Sequence, residues 1–302
     1  GAAMAAARAL RATRVAALLA RMPGRLGFAF AMLDATRPAA AGRTYPVPGD
    51  GARGSVALLT GCVMEGLYAP TNRATARVLA VNGHRVVPAP GQRCCGALHA
   101  HAGDLDGARA LARGNVAAFE RAAPDVIVVN SAGCGAMLRE YGHLLADDPA
   151  WRERAARIAE RVRDVSELLA AAGPSPAPAG PAVRVTYDPP CHLLHAQRIA
   201  DPPRRVLAAM PRLETVPLRD AEQCCGSAGI YGLVQPAVSQ AVLAPKLAAI
   251  RDTGAALVAT GNPGCLMQIG AGLRRAGIAC RAVHPVDLLD AAYAAGRAAA
   301  AD

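Results

Sequence analysis

The sequence predicts an α/β fold built from two tandem, pseudo-symmetric units, each with a mainly parallel sheet flanked by helices. Three observations predict it. Short β-branched runs alternate with stretches of helical spacing, the pattern of parallel strands joined by helical crossovers. The same order of elements then occurs a second time. Finally, eight of the nine cysteines form two matched quartets: Cys62, Cys94, Cys95 and Cys134, then Cys191, Cys224, Cys225 and Cys265. The pairs Cys62/Cys191, Cys94/Cys224 and Cys134/Cys265 are offset by 129, 130 and 131 residues. Repetition at that period means two similar domains, not a solenoid.

Residues 1–53 read as a basic helical and linker segment. The stretch 4–33 is basic and partly amphipathic; it is expected to pack on its own domain or to serve as a linker, with docking on an anionic membrane or a partner as the alternative. YPVPGDGARG (45–54) leads into the first unit, 54–171. There SVALLTG (55–61) is a short apolar strand ending at Cys62, and TNRATARVLAVNG (71–83) has helical spacing. HRVVPAP (84–90) is a strand leading to Cys94 and Cys95. LDGARALARGNVAAFERA (105–122) is a helix with Asp104 placed to cap it. DVIVVN (125–130) is a continuous run expected of a buried parallel strand, followed by a small-residue turn and Cys134. DVSELLA (164–170) closes the unit, and a Pro/Ala linker covers 172–182. VRVTYD (183–188), LETVPL (213–218), ALVATG (256–261) and HPVDLLD (284–290) repeat these parts in the second unit, 183–302.

Composition narrows the function. The 302 residues are 53% hydrophobic but only 3% aromatic, so the core is aliphatic. A net charge of +10 would suit an anionic partner, yet no aromatic-rich strand offers bases a stacking surface, which argues against nucleic acid. No signal peptide is visible. Arg21, Pro23, Gly24 and Arg25 interrupt the apolar stretch 14–33, and Gly261-Asn262-Pro263-Gly264 breaks 253–273, so neither reads as a membrane span. The expected location is the cytoplasm or the inner face of the membrane, where thiols stay reduced. Nine cysteines there point to metal, cluster or redox chemistry.

The adjacent pairs Cys94-Cys95 and Cys224-Cys225 sharpen this. Neighbouring Cα atoms lie about 3.8 Å apart, below the usual disulfide span. Each quartet cysteine follows a predicted strand, and ligand sites in parallel sheets lie beyond the strands' carboxyl ends. Four thiols in each half can therefore converge. A thiolate quartet is the usual complement of an iron–sulfur cluster, whose separate irons can each accept one sulfur. Gly96 and Gly226 would let backbone amides approach it. Inert core thiols do not explain the matched offsets. Structural zinc is a competing occupant in one half, although the close Cys-x-x-Cys pairs of zinc knuckles are missing.

Other residues near the quartets have plainer readings. His99, His101, His192 and His195 read as loop or cap histidines, and Met137 and Met267 as packing residues. Tyr231, Asn262 and Asn130 could donate hydrogen bonds to a bound group, though turn formation explains the asparagines too. Cys280 reads as a core strand residue.

The doubled Cys…Cys-Cys-Gly…Cys pattern resembles the cysteine-rich CCG domain found in heterodisulfide reductase and related electron-transfer proteins. The words CCGALHAHAGD, NSAGCGAMLREYG, DVSELL, CCGSAGIYGL and ATGNPGCLMQI look most like the glycolate oxidase (glycolate dehydrogenase) iron–sulfur subunit, over roughly residues 55–292. That resemblance implies an electron-transfer subunit. It would hold at most one iron–sulfur cluster per quartet, of the 4Fe–4S type. It would receive electrons from flavoprotein subunits that oxidise glycolate, and pass them toward a quinone-linked acceptor. The chain departs from the family pattern twice. It has no cysteine before Cys62, so a ferredoxin-like N-terminal region is not expected here. Met137 and Gln268 stand where the fullest motifs carry a further cysteine, so four thiols are expected per site instead of five. No Gly-x-Gly-x-x-Gly fingerprint for a flavin or nicotinamide is present. The alternatives are a disulfide reductase working at an open cluster and a zinc-stabilised scaffold.

Overall fold

The computed structural model describes residues 2–37, 51–177 and 182–299. Most of the YPVPGDGARG lead-in and the centre of the Pro/Ala linker lie outside these residues. Each half forms a four-stranded, all-parallel sheet. The first contains β1 (Ser55–Leu58), β2 (Arg85–Val86), β3 (Val126–Val129) and β4 (Val162–Asp164) in the order β2-β1-β3-β4. The second contains β5 (Val183–Tyr187), β6 (Leu213–Val216), β7 (Leu257–Ala259) and β8 (Arg281–Val283) in the equivalent order β6-β5-β7-β8. The six strands expected from β-branched runs are all present. The edge strand β4 is an addition, and β8 begins one residue after Cys280, which was expected within a strand.

The register in the first sheet follows from its residues. Val56 pairs with Val86 on one side and Val126 on the other. The Asp125 carboxylate accepts bonds from the Ser55 amide and hydroxyl, each 2.7 Å, which pins the start of β1 to β3. Successive side chains point to opposite faces. Ala57, Leu59, Ile127 and Val129 accordingly face an outer core with Val116, Phe119, Leu138 and Ile158. The helix that supplies Val116 and Phe119, Leu105–Ala122, is capped as expected: Asp104 accepts from the Gly107 amide at 2.9 Å.

Val56, Leu58 and Val128 face inward, into a core that both halves build. From the first half come Val78, Leu79, Val165 and Leu169; from the second, Val185, Tyr187, Val206, Leu207, Val286 and Leu289. The closing helix of each half packs on the other half. Val165–Ala172 lies against Pro202–Ala208, and Pro285–Ala299 lies against Ala69–Val81. The second half has its own outer core around Leu243, Ile250, Val258 and Ile269.

The N-terminal helices do not keep to one domain. Ala2–Ala12 packs on the first half's Val63–Leu67, and Arg11 donates to the Leu67 carbonyl at 2.8 Å. Gly24–Ala35 packs on the second half's helix Pro263–Arg275, where Asp34 pairs with Arg274. Among the described residues, no helix is long and apolar enough to cross a membrane.

Candidate metal centre

Because every strand is parallel, the loops after β1, β2 and β3 leave one edge of the first sheet, and those after β5, β6 and β7 leave the matching edge of the second. Cys62 precedes the short helix Val63–Leu67, and Cys134 lies in the first turn of Ala132–Arg139. Cys191 precedes a single π-helical turn, His192–Ala196, and Cys265 lies in the first turn of Pro263–Arg275. Two thiols of each quartet thus sit at helix starts, where unpaired amides and the helix dipole favour negative charge.

All eight expected sulfurs come together as two sets of four. In the first, Cys94 Sγ and Cys62 Sγ are 3.4 Å apart, and Cys95 hydrogen-bonds both Cys94 and Cys134. In the second, Cys225 Sγ donates to Cys265 Sγ at 3.3 Å, while Cys224 hydrogen-bonds Cys191 and Cys225. Among the described residues, no three or more His, Cys, Asp or Glu side chains are arranged to close on a single metal ion. The thiols meet one another instead. Cys280 stands apart, half-buried just before β8 against the outer core of the second half.

Cys62, Cys94 and Cys95 shift in the same directions as their counterparts Cys191, Cys224 and Cys225. The Cys94 thiol is pulled down by its hydrogen bonds with Cys62 and Cys95, helped by the Gly96 amide. Cys62 is pushed up by its hydrogen bond with Cys94 and by burial, and Cys95 by its hydrogen bonds with Cys134 and Cys94 and by burial. Cys134 is lowered by Cys95 and by a bond from the Ser131 side chain. Cys224 is lowered by Cys191 and Cys225, with the Gly226 amide donating to its sulfur at 3.3 Å. Cys191 rises through its bond to Cys224, and Cys225 through its bonds to Cys224 and Cys265. The first cysteine of each adjacent pair is thus drawn down in both quartets.

Gly96 and Gly226 make the tight turns possible, with φ of +91° and +82°. A Cβ on Gly226 would lie 2.4 Å from the Ser239 carbonyl oxygen. On Gly96 it would press on the Ala108 backbone at 3.3 Å. Only a residue without a side chain turns so closely against neighbouring backbone.

Of the surrounding candidates, His99 bonds Asp104 at 2.7 Å, and His195 is exposed. His101 and His192, one from each half, stack with centroids 5.9 Å apart. Asn130 is buried, with its Nδ2 donating to Asn72 and Thr75. Met137 packs on the outer core of the first half, and Tyr231 is 42% exposed. Asn262 is different: its Nδ2 faces Cys265 Sγ at 3.5 Å.

Several contributors escaped the sequence reading. Lys246 is fully buried behind the second quartet, pairing with Asp188 at 2.9 Å and donating to the Ala221 carbonyl at 2.8 Å. The Lys246 charge helps lower Cys224. A signal was available, since it is the single lysine in the chain and sits among apolar residues, in VLAPKLAAI (242–250). The equivalent position in the first half, 131 residues earlier, is the neutral Asn115, which donates to the Cys94 carbonyl and the Tyr141 hydroxyl, each at 2.9 Å. His284 and Gln197 were also missed. They hold the Asn130 and Ala132 carbonyls, each at 2.9 Å, so the second half grips the loop that carries Cys134.

The profile of the family described as "CCG: Cysteine-rich domain" matches residues 56–139 and 185–270, the two stretches that carry the quartets. The chain belongs to the CCG cysteine-rich domain family. The chain is 42% identical over 239 residues to the "Probable glycolate oxidase iron-sulfur subunit" of Bacillus subtilis, covering 78% of this chain and 54% of that protein. The "Glycolate oxidase iron-sulfur subunit" of Escherichia coli is 33% identical over 214 residues, 70% of this chain and 52% of that one. "Lactate utilization protein A" of Geobacillus kaustophilus is 30% identical over 237 residues, 78% of this chain and 98% of that protein. The matched region thus spans about half the length of the glycolate oxidase relatives and nearly all of the lactate utilization protein.

The residues of both CCG domains suit an iron–sulfur group. Each site offers four soft sulfur donors at one sheet edge, a lowered thiol on the first cysteine of the adjacent pair, helix starts beneath, and a glycine turn that brings amides to sulfur.

Proposed function

We propose that this chain is the iron–sulfur electron-transfer subunit of a 2-hydroxy-acid oxidation complex, of the glycolate-oxidising kind. It would accept electrons from a flavoprotein partner and deliver them toward a quinone-linked acceptor. The observation that carries the reading is the convergence of two thiol quartets at equivalent sheet edges, in a chain whose relatives carry iron–sulfur subunit names. Cys62, Cys94, Cys95 and Cys134 would hold one group; Cys191, Cys224, Cys225 and Cys265 would hold the other. When bound, such a cluster supplies reversible one-electron transfer.

The protein's own residues do the rest. Helix starts and the amides of Gly96 and Gly226 stabilise negative charge on sulfur. The outer cores keep water from the inner thiols: Cys95, Cys225 and Cys265 are each at most 4% exposed. Cys62, Cys94, Cys191 and Cys224 are only half-buried and provide the open side toward a partner. The 2-hydroxy acid itself would be oxidised on the flavoprotein.

Anaerobic purification with iron and sulfide analysis, and EPR of the reduced protein, tests this. Stoichiometric iron and sulfide with a reducible signal is expected, with about half of it lost on replacing Cys94 and Cys95 by alanine. Stoichiometric zinc without iron would overturn the reading.

A further inference from the structure

The two sites are not independent, and one residue joins them. Ser131 and Asn262 are equivalent: each stands at the N-cap of a ligand helix, three residues before Cys134 or Cys265. An N-cap side chain ordinarily accepts from a first-turn amide. Neither residue does so within its own helix. Ser131 hydrogen-bonds Cys134, and Asn262 Nδ2 reaches Cys265 Sγ at 3.5 Å. The first helix is therefore left with orphan amides.

The second half satisfies them. The Ala132 amide donates to the Gly261 carbonyl at 3.0 Å, and the Gly133 amide donates to Asn262 Oδ1 at 3.2 Å. A backbone N–H can only donate, so the carboxamide atom facing Gly133 must be oxygen, which turns the NH₂ group toward sulfur. The arrangement runs one way. Opposite Ala132 the second half has Pro263, which lacks an N–H to be capped.

We infer that Asn262 is a positioning residue shared by both sites: one end of its carboxamide caps the helix carrying Cys134, and the other end donates to Cys265. Any change at the second site that moves this side chain also moves the first. The consequence for cluster potentials rests on the proposed electron-transfer function; the trans-cap does not.

Two substitutions separate the two ends. Asn262→Ser copies Ser131: it keeps a donor near Cys265 but is too short to reach Gly133. Asn262→Asp keeps an acceptor for Gly133 but presents a negative charge to Cys265. In metal-free protein, amide exchange at Gly133 should accelerate about fivefold in Asn262→Ser, the loss of roughly one net hydrogen bond, and stay near the parent rate in Asn262→Asp. In reconstituted protein, Asn262→Asp should lower the midpoint potential of the second-half centre, because hydrogen bonds to sulfur raise such potentials. Asn262→Ser should leave that centre near the parent value and alter the EPR signal of the first. Signals are assigned in backgrounds lacking either Cys94 and Cys95 or Cys224 and Cys225. Unchanged Gly133 exchange in Asn262→Ser, or identical effects of both variants on both centres, would overturn the inference. If the parent protein takes up no iron, the proposed function fails, while the exchange measurement still decides the role of Asn262.

Discussion

Lys246 is a charge kept where charge is expensive. It is 1% exposed, and its pairing with Asp188 is completed by the Ala221 carbonyl and by Thr260, which donates to Asp188 at 3.0 Å. Burial still pushes Asp188 upward against the pull of Lys246. Replacing the lysine alone strands a buried carboxylate, so Lys246→Met should cost about 3–5 kcal/mol in urea unfolding. Adding Asp188→Leu should recover most of that loss; no recovery would mean the lysine acts through its packing. Two further buried groups titrate in opposite senses. Burial lowers His284 from 6.5 to about 4, so its contribution is full above pH 6.5 and is lost as pH falls toward 4. Burial raises Asp164 from 3.8 to about 6, so its contribution is full below pH 4 and is lost as pH rises through 6. Each is worth about 3 kcal/mol by linkage, and between pH 4 and 6 they oppose one another. Over that window stability should therefore fall with rising pH in His284→Gln and climb in Asp164→Asn. Parallel profiles in the two variants would refute the assignment.

At the scale of elements, the exchanged closing helices are the main joint between the halves. Arg77 on Ala69–Val81 makes a two-bond pair with Asp290 on Pro285–Ala299, at 2.9 and 2.8 Å, and the Asp290 side chain is 2% exposed. Thr71 donates to Asp287 at 3.0 Å on the same face, and Asn82 donates to the Tyr293 hydroxyl at 3.1 Å. Arg77→Leu should destabilise the protein by about 3 kcal/mol, whereas Arg109→Leu, whose partner Asp106 is 98% exposed, should change little. Equal effects in thermal melts would show that burial does not set the strength of these pairs. None of this joint was visible in the sequence, because Arg77 and Asp290 are 213 positions apart and each looks like an ordinary surface residue of a helix. The inner strands were legible for the opposite reason. VIVV and SVAL are buried on both faces, so burial writes itself as an unbroken run. β4 (VRD) and β8 (RAV) are three-residue edge strands with a charged residue, too short to leave a period. The thiol sites were legible only because the chain spells them twice; His284 and Gln197 act on the Cys134 loop from the other half, where only topology brings them.

The whole molecule is held by a core that neither half owns. Leu79 and Leu169 from the first half, and Leu207 and Leu289 from the second, are each at most 1% exposed within the same cluster. The N-terminal helices bind both halves, with Arg11 on Leu67 and Asp34 on Arg274. Separating the halves would bare this inner face on each, and a domain of about 115 residues has little stability to spare for such a loss. The chain should therefore unfold in one transition despite its two sheets. Leu79→Ala and Leu207→Ala, in different halves, should each shift the entire transition by about 2–5 kcal/mol as the removed side chain leaves a cavity. Segments 54–171 and 183–299 expressed separately should bind a hydrophobic dye and lack a cooperative melt until mixed. Two calorimetric transitions in the intact chain, with each substitution moving only one, would instead mean that the halves stand alone. In that case the grip of His284, Gln197 and Asn262 on the Cys134 loop would be a contact between finished domains, not a part of how either one is formed.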